Sequence, residues 1–231
     1  MNFDRYFLTA RLAPAIIGSI PFFVLYLFFL GSVLASLFHS LAAVTWVGGV
    51  STMAAFIILL ASVGRSISKD IFERRWFKSD ETRMPTTDFL MHRNSEYSAP
   101  FKRDLREKIR ADFNIELHTE LAEAEDESGA RKRIAEAVVL IRQQMKDGRL
   151  LLQHNIEYGF FRNLVGCSVV AEVVLLANIL VFTLVSPNHV ALYTSITLLV
   201  LYAIPIAFAK PLMRVHGKRY ARVLIQEYLA A

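Results

Sequence analysis

The residues of this chain that could do chemistry are few, and their settings differ. Glu172 is the only Asp, Glu, Lys or Arg between Leu164 and Ala209. An ionised carboxylate in so apolar a run costs about 3 kcal/mol in a bilayer, so it must face other helices, water or a cation. Two readings stand. It is a pore-lining or gating carboxylate that favours cations, or it is structural, paired with Lys210 or Arg214 or snorkelling to the interface. Asn178 falls on a different face of the same helix and is expected to bond a neighbouring helix. In an earlier apolar run Thr45, Gly48, Gly49, Ser51, Thr52, Ala54 and Ala55 gather. Small residues let helices approach closely and hydroxyls line water paths, so Thr45, Ser51 and Thr52 are either packing residues or pore residues.

Outside the apolar runs two motifs stand out. In the first, Pro85-Thr86-Thr87 is followed by Leu90, His92-Arg93-Asn94-Ser95 and Tyr97. The second runs from His154-Asn155 through Tyr158-Gly159-Phe160-Phe161-Arg162-Asn163 to Gly166. An oligonucleotide needs cations for its phosphates and flat groups for its bases. Arg75 and Trp76, with His92, Arg93, Asn94, Tyr97 and Lys102, supply both and form the candidate ligand set. Arg103, Arg106 and Arg110 add charge beside Lys102, but Asp104 and Glu107 among them mark ordinary surface pairing. The polar middle of the chain is nearly charge-balanced, so an anion site there must be a local pocket and not a basic face. Tyr158, Phe160, Arg162 and Asn163 read either as an interfacial anchor or as a gating and coupling element.

Known catalytic constellations are missing. The sequence has no CxxC, HExxH, GxSxG, phosphate-binding Gly-rich loop or GxGxxG. The six histidines (39, 92, 118, 154, 189 and 216) are scattered, without metal-ligand spacing. Neither a metal nor a cofactor is expected, and the chain does not read as an enzyme. Cys167 is the single cysteine, so no internal disulfide forms, and it reads as a small apolar filler.

These residues must be positioned by membrane helices. No charged residue lies between Leu12 and Gly64. A helix crosses the hydrocarbon core with about 20 residues, so this run and the one from Leu164 each hold two crossings. The expected class is an all-α membrane protein, with two transmembrane helical hairpins (four spans) flanking a mostly helical cytosolic domain. The expected divisions are an interfacial segment at 1–11, hairpin one at 12–63, the cytosolic domain at 64–162, hairpin two at 163–209 and a basic cytosolic tail at 210–231. Hairpin tips are expected near Phe38-His39-Ser40 and Ser186-Pro187-Asn188-His189. The first apolar stretch outruns a signal-peptide core and is expected to stay as a span. Every basic cluster falls on one side of this layout: Arg5 and Arg11, Arg65 to Arg75, Arg162, and Lys210 to Arg222. By the positive-inside rule that side is the cytoplasm, with both termini on it. In the middle segment Phe101, Leu105, Ile109 and Phe113 predict a helix capped by Ser98 and stopped at Asn114. A second helix is expected from near Ala130, weakened at Gly148 and running on toward the third span. The acidic stretch from Glu120 to Glu127 between them is expected to be a solvated loop or frayed helix end.

The two motifs and the four-span layout resemble a widespread family of bacterial four-span membrane proteins. Members combine a PTT…HR(N/D)S segment, a helix with spaced lysines (here Lys102 and Lys108-Ile109) and an ENxxYGFxRNLxG junction. This sequence carries His154-Asn155, Tyr158-Gly159-Phe160, Arg162-Asn163-Leu164 and Gly166, so the likeness covers about Met84 to Gly166. Where the family often continues with Leu-Lys-Pro, Cys167-Ser168-Val169 stands instead. Proteins of this layout resemble the membrane effector of the Hailong anti-phage defence system. That resemblance implies an oligomeric ion channel of the bacterial inner membrane; the sequence does not give the subunit number, and a tetramer is taken as the working expectation. It implies gating by single-stranded oligodeoxyadenylate from a partner nucleotidyltransferase, which holds the channel closed until infection removes the signal. The residues leave two other classes open: a membrane scaffold that recruits a soluble partner, and a small transporter or membrane enzyme. The two hairpins show no inverted repeat, which counts against a transporter.

Overall fold

The computed structural model describes residues 5–37, 42–78, 81–146 and 148–231, and of 42–46 the backbone alone. The first expected hairpin tip and the side chain of Thr45 therefore lie outside the described residues. Among those residues the chain is helical with short connections and no strand. Four helices are long and apolar enough to cross a membrane: Phe7–Leu37, Val47–Phe77, Arg149–Val185 and His189–Ala207. We call them the first to fourth spans. Ser186-Pro187-Asn188 separates the last two, and the Asn188 side chain caps the fourth span by accepting from the Ala191 amide at 3.0 Å.

The chain divides into two compact units. Met1–Lys69 with Gly159–Ala209 forms an apolar unit, and Asp70–Tyr158 with Lys210–Ala231 forms a polar unit.

In the apolar unit the first span carries Pro14 and Pro21, neither of which can donate to the carbonyl four residues back. Those carbonyls belong to Ala10 and Ile17. Asn163 from the third span donates to the first at 2.6 Å, and the Tyr202 hydroxyl from the fourth donates to the second. Asn178 donates to the Pro21 carbonyl at 2.8 Å, so it does bond a neighbouring helix. In hydrocarbon a backbone group left unpaired costs several kcal/mol, so these three polar side chains fix which spans adjoin the first. Glycines set the approach of the second and third spans. A Cβ on Gly166 would collide with the Gly64 carbonyl, and a Cβ on Gly64 with the Cys167 sulfur. Cys167 packs with Ala15, Leu60 and Ala61, as a small filler should. Large apolar side chains such as Leu27, Ile58, Leu176 and Val200 are exposed, which suits lipid contact.

The polar unit has a conventional core. We number its helices α1 (Pro85–Asp88), α2 (Ala99–Phe113), α3 (Glu120–Glu125), α4 (Glu127–Gln144) and α5 (Ala209–Ala230). Ser98 caps α2 by accepting from the Phe101 amide, and Asn114 ends it in the left-handed conformation at φ 54°. Leu105 and Ile109 pack against Ile134, Val138 and Ile141 of α4 and against Leu224, Ile225 and Tyr228 of α5. The residues set apart as a tail thus lie on a helix that supplies the core. Two local expectations are corrected. The acidic stretch is helical: Thr119 caps α3, Asp126 caps α4, and Glu123 is buried where it accepts from the His92 amide at 2.7 Å. Helix α4 also ends at Gln144, and a new helix starts at Arg149, so α4 does not run on into the third span. Gly148 permits that break, because a Cβ there would meet the Glu227 carboxylate and the Met145 carbonyl.

Candidate functional site

Two cavities of the polar unit divide the candidate ligand set between them. The larger, about 740 Å³, takes Arg75, Trp76 and Arg93. The other, about 570 Å³, takes His92, Asn94, Tyr97 and Lys102.

The 740 Å³ cavity is lined by seven cations (Arg75, Arg83, Arg93, Arg131, Lys210, Arg214 and Lys218) against two carboxylates, Asp88 and Glu127, with Trp76, Phe77 and Phe89 as flat walls. The carboxylates are already engaged. Arg93 binds Glu127 through both terminal nitrogens, at 2.5 and 2.6 Å. Arg131 donates to Glu127 at 2.7 Å, to Asp88 at 3.0 Å and to the Thr82 carbonyl at 2.9 Å. Hydrogen bonding from Arg131, joined by Arg93, holds the Glu127 carboxyl below the ordinary carboxylate range. Among the described residues the side chains of Arg75, Arg83, Lys210 and Arg214 have no partner, and Lys218 has only the Phe89 ring, 6.0 Å away. Sequence reasoning passed over Arg83, Lys210, Arg214 and Lys218 as ligand groups. For Lys210, Arg214 and Lys218 the signal was present as the basic cluster after the fourth span, which was used for orientation and, for Lys210 and Arg214, as possible partners of Glu172.

In the second cavity Lys102 is not available to a ligand. Its side chain is buried, and its ammonium donates to the carbonyls of Met91 at 2.8 Å, His92 at 3.0 Å and Asn94. An ammonium has three protons, and all are used. Burial first, then the Arg106 cation, pushes Lys102 below the usual lysine range, while Glu123, Asp88 and Glu120 oppose the shift. Asn94 is likewise a loop residue, donating to Asp88 at 2.9 Å and accepting from the Glu96 amide at 2.8 Å. Tyr97 stacks on Phe101 with ring centroids 4.4 Å apart. The HRNS segment is therefore held as a rigid turn, and Arg93 is the member that reaches the cationic cavity.

The junction residues split between the units. Tyr158, in the polar unit, donates to Glu73 at 3.1 Å. In the apolar unit Phe160 meets Phe161 edge to face at 5.3 Å, Asn163 holds the Ala10 carbonyl, and the Arg162 carbonyl accepts from Ser68. Of the pore candidates, Ser51 and Thr52 are exposed on the surface of the second span, and no described residue lies within 4 Å of a Cβ position at Gly48. Glu172 is half-buried, and its Oε1 is buried with no hydrogen-bond partner among the described residues. No group of three His, Cys, Asp or Glu among the described residues is placed to hold a metal ion.

Comparison with protein-family models, with curated proteins and with solved structures finds no match.

Proposed function

We propose that this chain is a subunit of an oligomeric, signal-gated ion channel of the bacterial inner membrane. In this reading the four spans form two hairpins, and both termini and the polar unit face the cytoplasm. The observation that carries it is Glu172, a carboxylate in a membrane-spanning helix with one oxygen buried and unpartnered. Such a group is stable in hydrocarbon only where water, a permeating cation or another subunit completes it. A single set of four spans makes a poor pore. Gly48, Ser51, Thr52 and Ala55 recur at three- and four-residue spacing and lie open on the second span, which suits a contact between copies.

Gating enters through the polar unit. In this reading the coupling element is the Arg149–Leu180 helix, which contributes Tyr158 to the polar unit and Asn163 to the apolar one. The resemblance of the four-span layout to the membrane effector of the Hailong anti-phage defence system is what points to a nucleotide or oligodeoxyadenylate signal. The protein acts without catalysing a reaction. Depolarisation of cells expressing the chain, read with a voltage-sensitive dye, tests the reading. The expected result is depolarisation that Glu172→Ala abolishes at equal membrane levels. A protein that stays monomeric in lipid and never conducts, with or without nucleotide, overturns it.

A further inference from the structure

We propose that the 740 Å³ cavity of the polar unit is a binding site for a ligand carrying two or more linked phosphate groups, held by Arg75, Arg83, Lys210, Arg214 and Lys218. This deepens the gating reading by naming the sensing site, and it stands on the cavity alone.

Three separate segments deliver these cations. Arg75 lies at the end of the second span, Arg83 in the turn before α1, and the other three on α5. Residues four apart on a helix share a face with about 6 Å between them. Lys210, Arg214 and Lys218 therefore form a row about 12 Å long, more than a single phosphate spans. Like charges this close repel, and among the described residues no carboxylate of the cavity is left over to offset them, since Asp88 and Glu127 are bound by Arg93 and Arg131. A polyanion removes the repulsion and accepts from the guanidinium forks and ammoniums at once. Those engaged pairs also fix the floor: Arg131 is buried and makes three side-chain contacts to it. Trp76, only partly buried, gives a flat surface at the wall, where a ring attached to the phosphates would stack. The volume falls within the usual range for small-ligand sites.

The same chemistry is offered by a soluble nucleotide and by a diphosphate lipid headgroup, and the test separates them. Full-length protein in neutral detergent is titrated with inorganic tripolyphosphate and with ATP by calorimetry, and in nanodiscs with cardiolipin against phosphatidylcholine. Tripolyphosphate is expected to bind saturably, and the double variant Arg83→Gln/Arg214→Gln to weaken it by about a hundredfold, roughly tenfold for each lost charge-assisted contact. Both side chains are exposed, so the melting temperature without ligand should not move. Arg103→Gln, in the other cavity, should leave binding unchanged. Tighter binding of ATP, lost in Trp76→Ala, assigns a nucleotide, whereas cardiolipin binding displaced by tripolyphosphate assigns the lipid. Absence of binding to every phosphate probe, or equal binding by the double variant, overturns the site. Conductance is not part of the readout, so a silent channel that binds phosphate and a conducting channel that does not are told apart.

Discussion

The side-chain amide of Asn163 donates to the backbone carbonyl of Ala10 at 2.6 Å, across two membrane-spanning helices. Pro14 explains why that carbonyl needs a partner, because it lacks the N–H that would otherwise reach Ala10. Asn163→Leu is expected to destabilise the protein by about 1 to 3 kcal/mol, the cost of leaving a buried acceptor unmade. Pro14→Ala restores a backbone donor, so the two changes together should cost less than their sum. Thermal unfolding in detergent of the four members of this cycle checks it, and strict additivity would contradict the assigned role.

Gly166→Ala is expected to force the second and third spans apart, because the new methyl meets the backbone carbonyl of Gly64, which has no side-chain freedom to yield. The loss should be about 1 to 3 kcal/mol, as for other overpacked contacts. The same change at Gly48, where no described residue lies within 4 Å, should not lower the melting temperature of the isolated subunit.

Lys102 is expected to matter for folding and not for ligand affinity. Lys102→Met keeps the stem and removes three donors, leaving the carbonyls of His92 and Asn94 unpaired and that of Met91 with the Asn94 amide alone. Unfolding followed by far-ultraviolet dichroism should show a loss of about 2 to 4 kcal/mol. Phosphate binding by the fraction still folded should be unchanged.

His216 gives the polar unit an acid-sensitive point. Burial and the neighbouring Arg219 hold its imidazole below the ordinary value of 6.5, with His154 adding to the shift and Glu157 opposing it. A depressed folded pKa means that the neutral form is favoured by folding. Its stabilising effect is complete above pH 6.5 and is lost as pH falls through the folded pKa. The melting temperature should therefore drop on going from about pH 7.5 to about pH 5, and His216→Gln should flatten that drop.

Much of this fold was legible because membrane helices and helix ends announce themselves. Long apolar runs, one free of charge and one broken only by Glu172, marked the four spans, Asn188 the turn before the fourth, and Ser98 and Asn114 the two ends of α2. The acidic stretch misled because its composition looks solvated, whereas its helix is fixed by Thr119 and Asp126 caps and by the burial of Glu123 on the His92 amide. Caps three residues from their targets are local signals and could have been read. Glu123 could not, since its partner lies 31 residues away. The same limit applied to the cavity. Arg75 and Arg93 suggested an anion site, but their meeting with Arg83 and the α5 cations is a product of tertiary packing. Lys102 looked like a phosphate ligand because a sequence does not show that a lysine is surrounded by carbonyls.

The central claim, that Glu172 belongs to a conducting path, is tested most directly by cation flux from proteoliposomes holding the purified chain, beside Glu172→Gln and Glu172→Asp. The account predicts flux in the wild type, its loss in Glu172→Gln and its partial recovery in Glu172→Asp, with all three proteins incorporated equally. Flux in Glu172→Gln equal to that of the wild type would contradict it and leave Glu172 as a structural carboxylate.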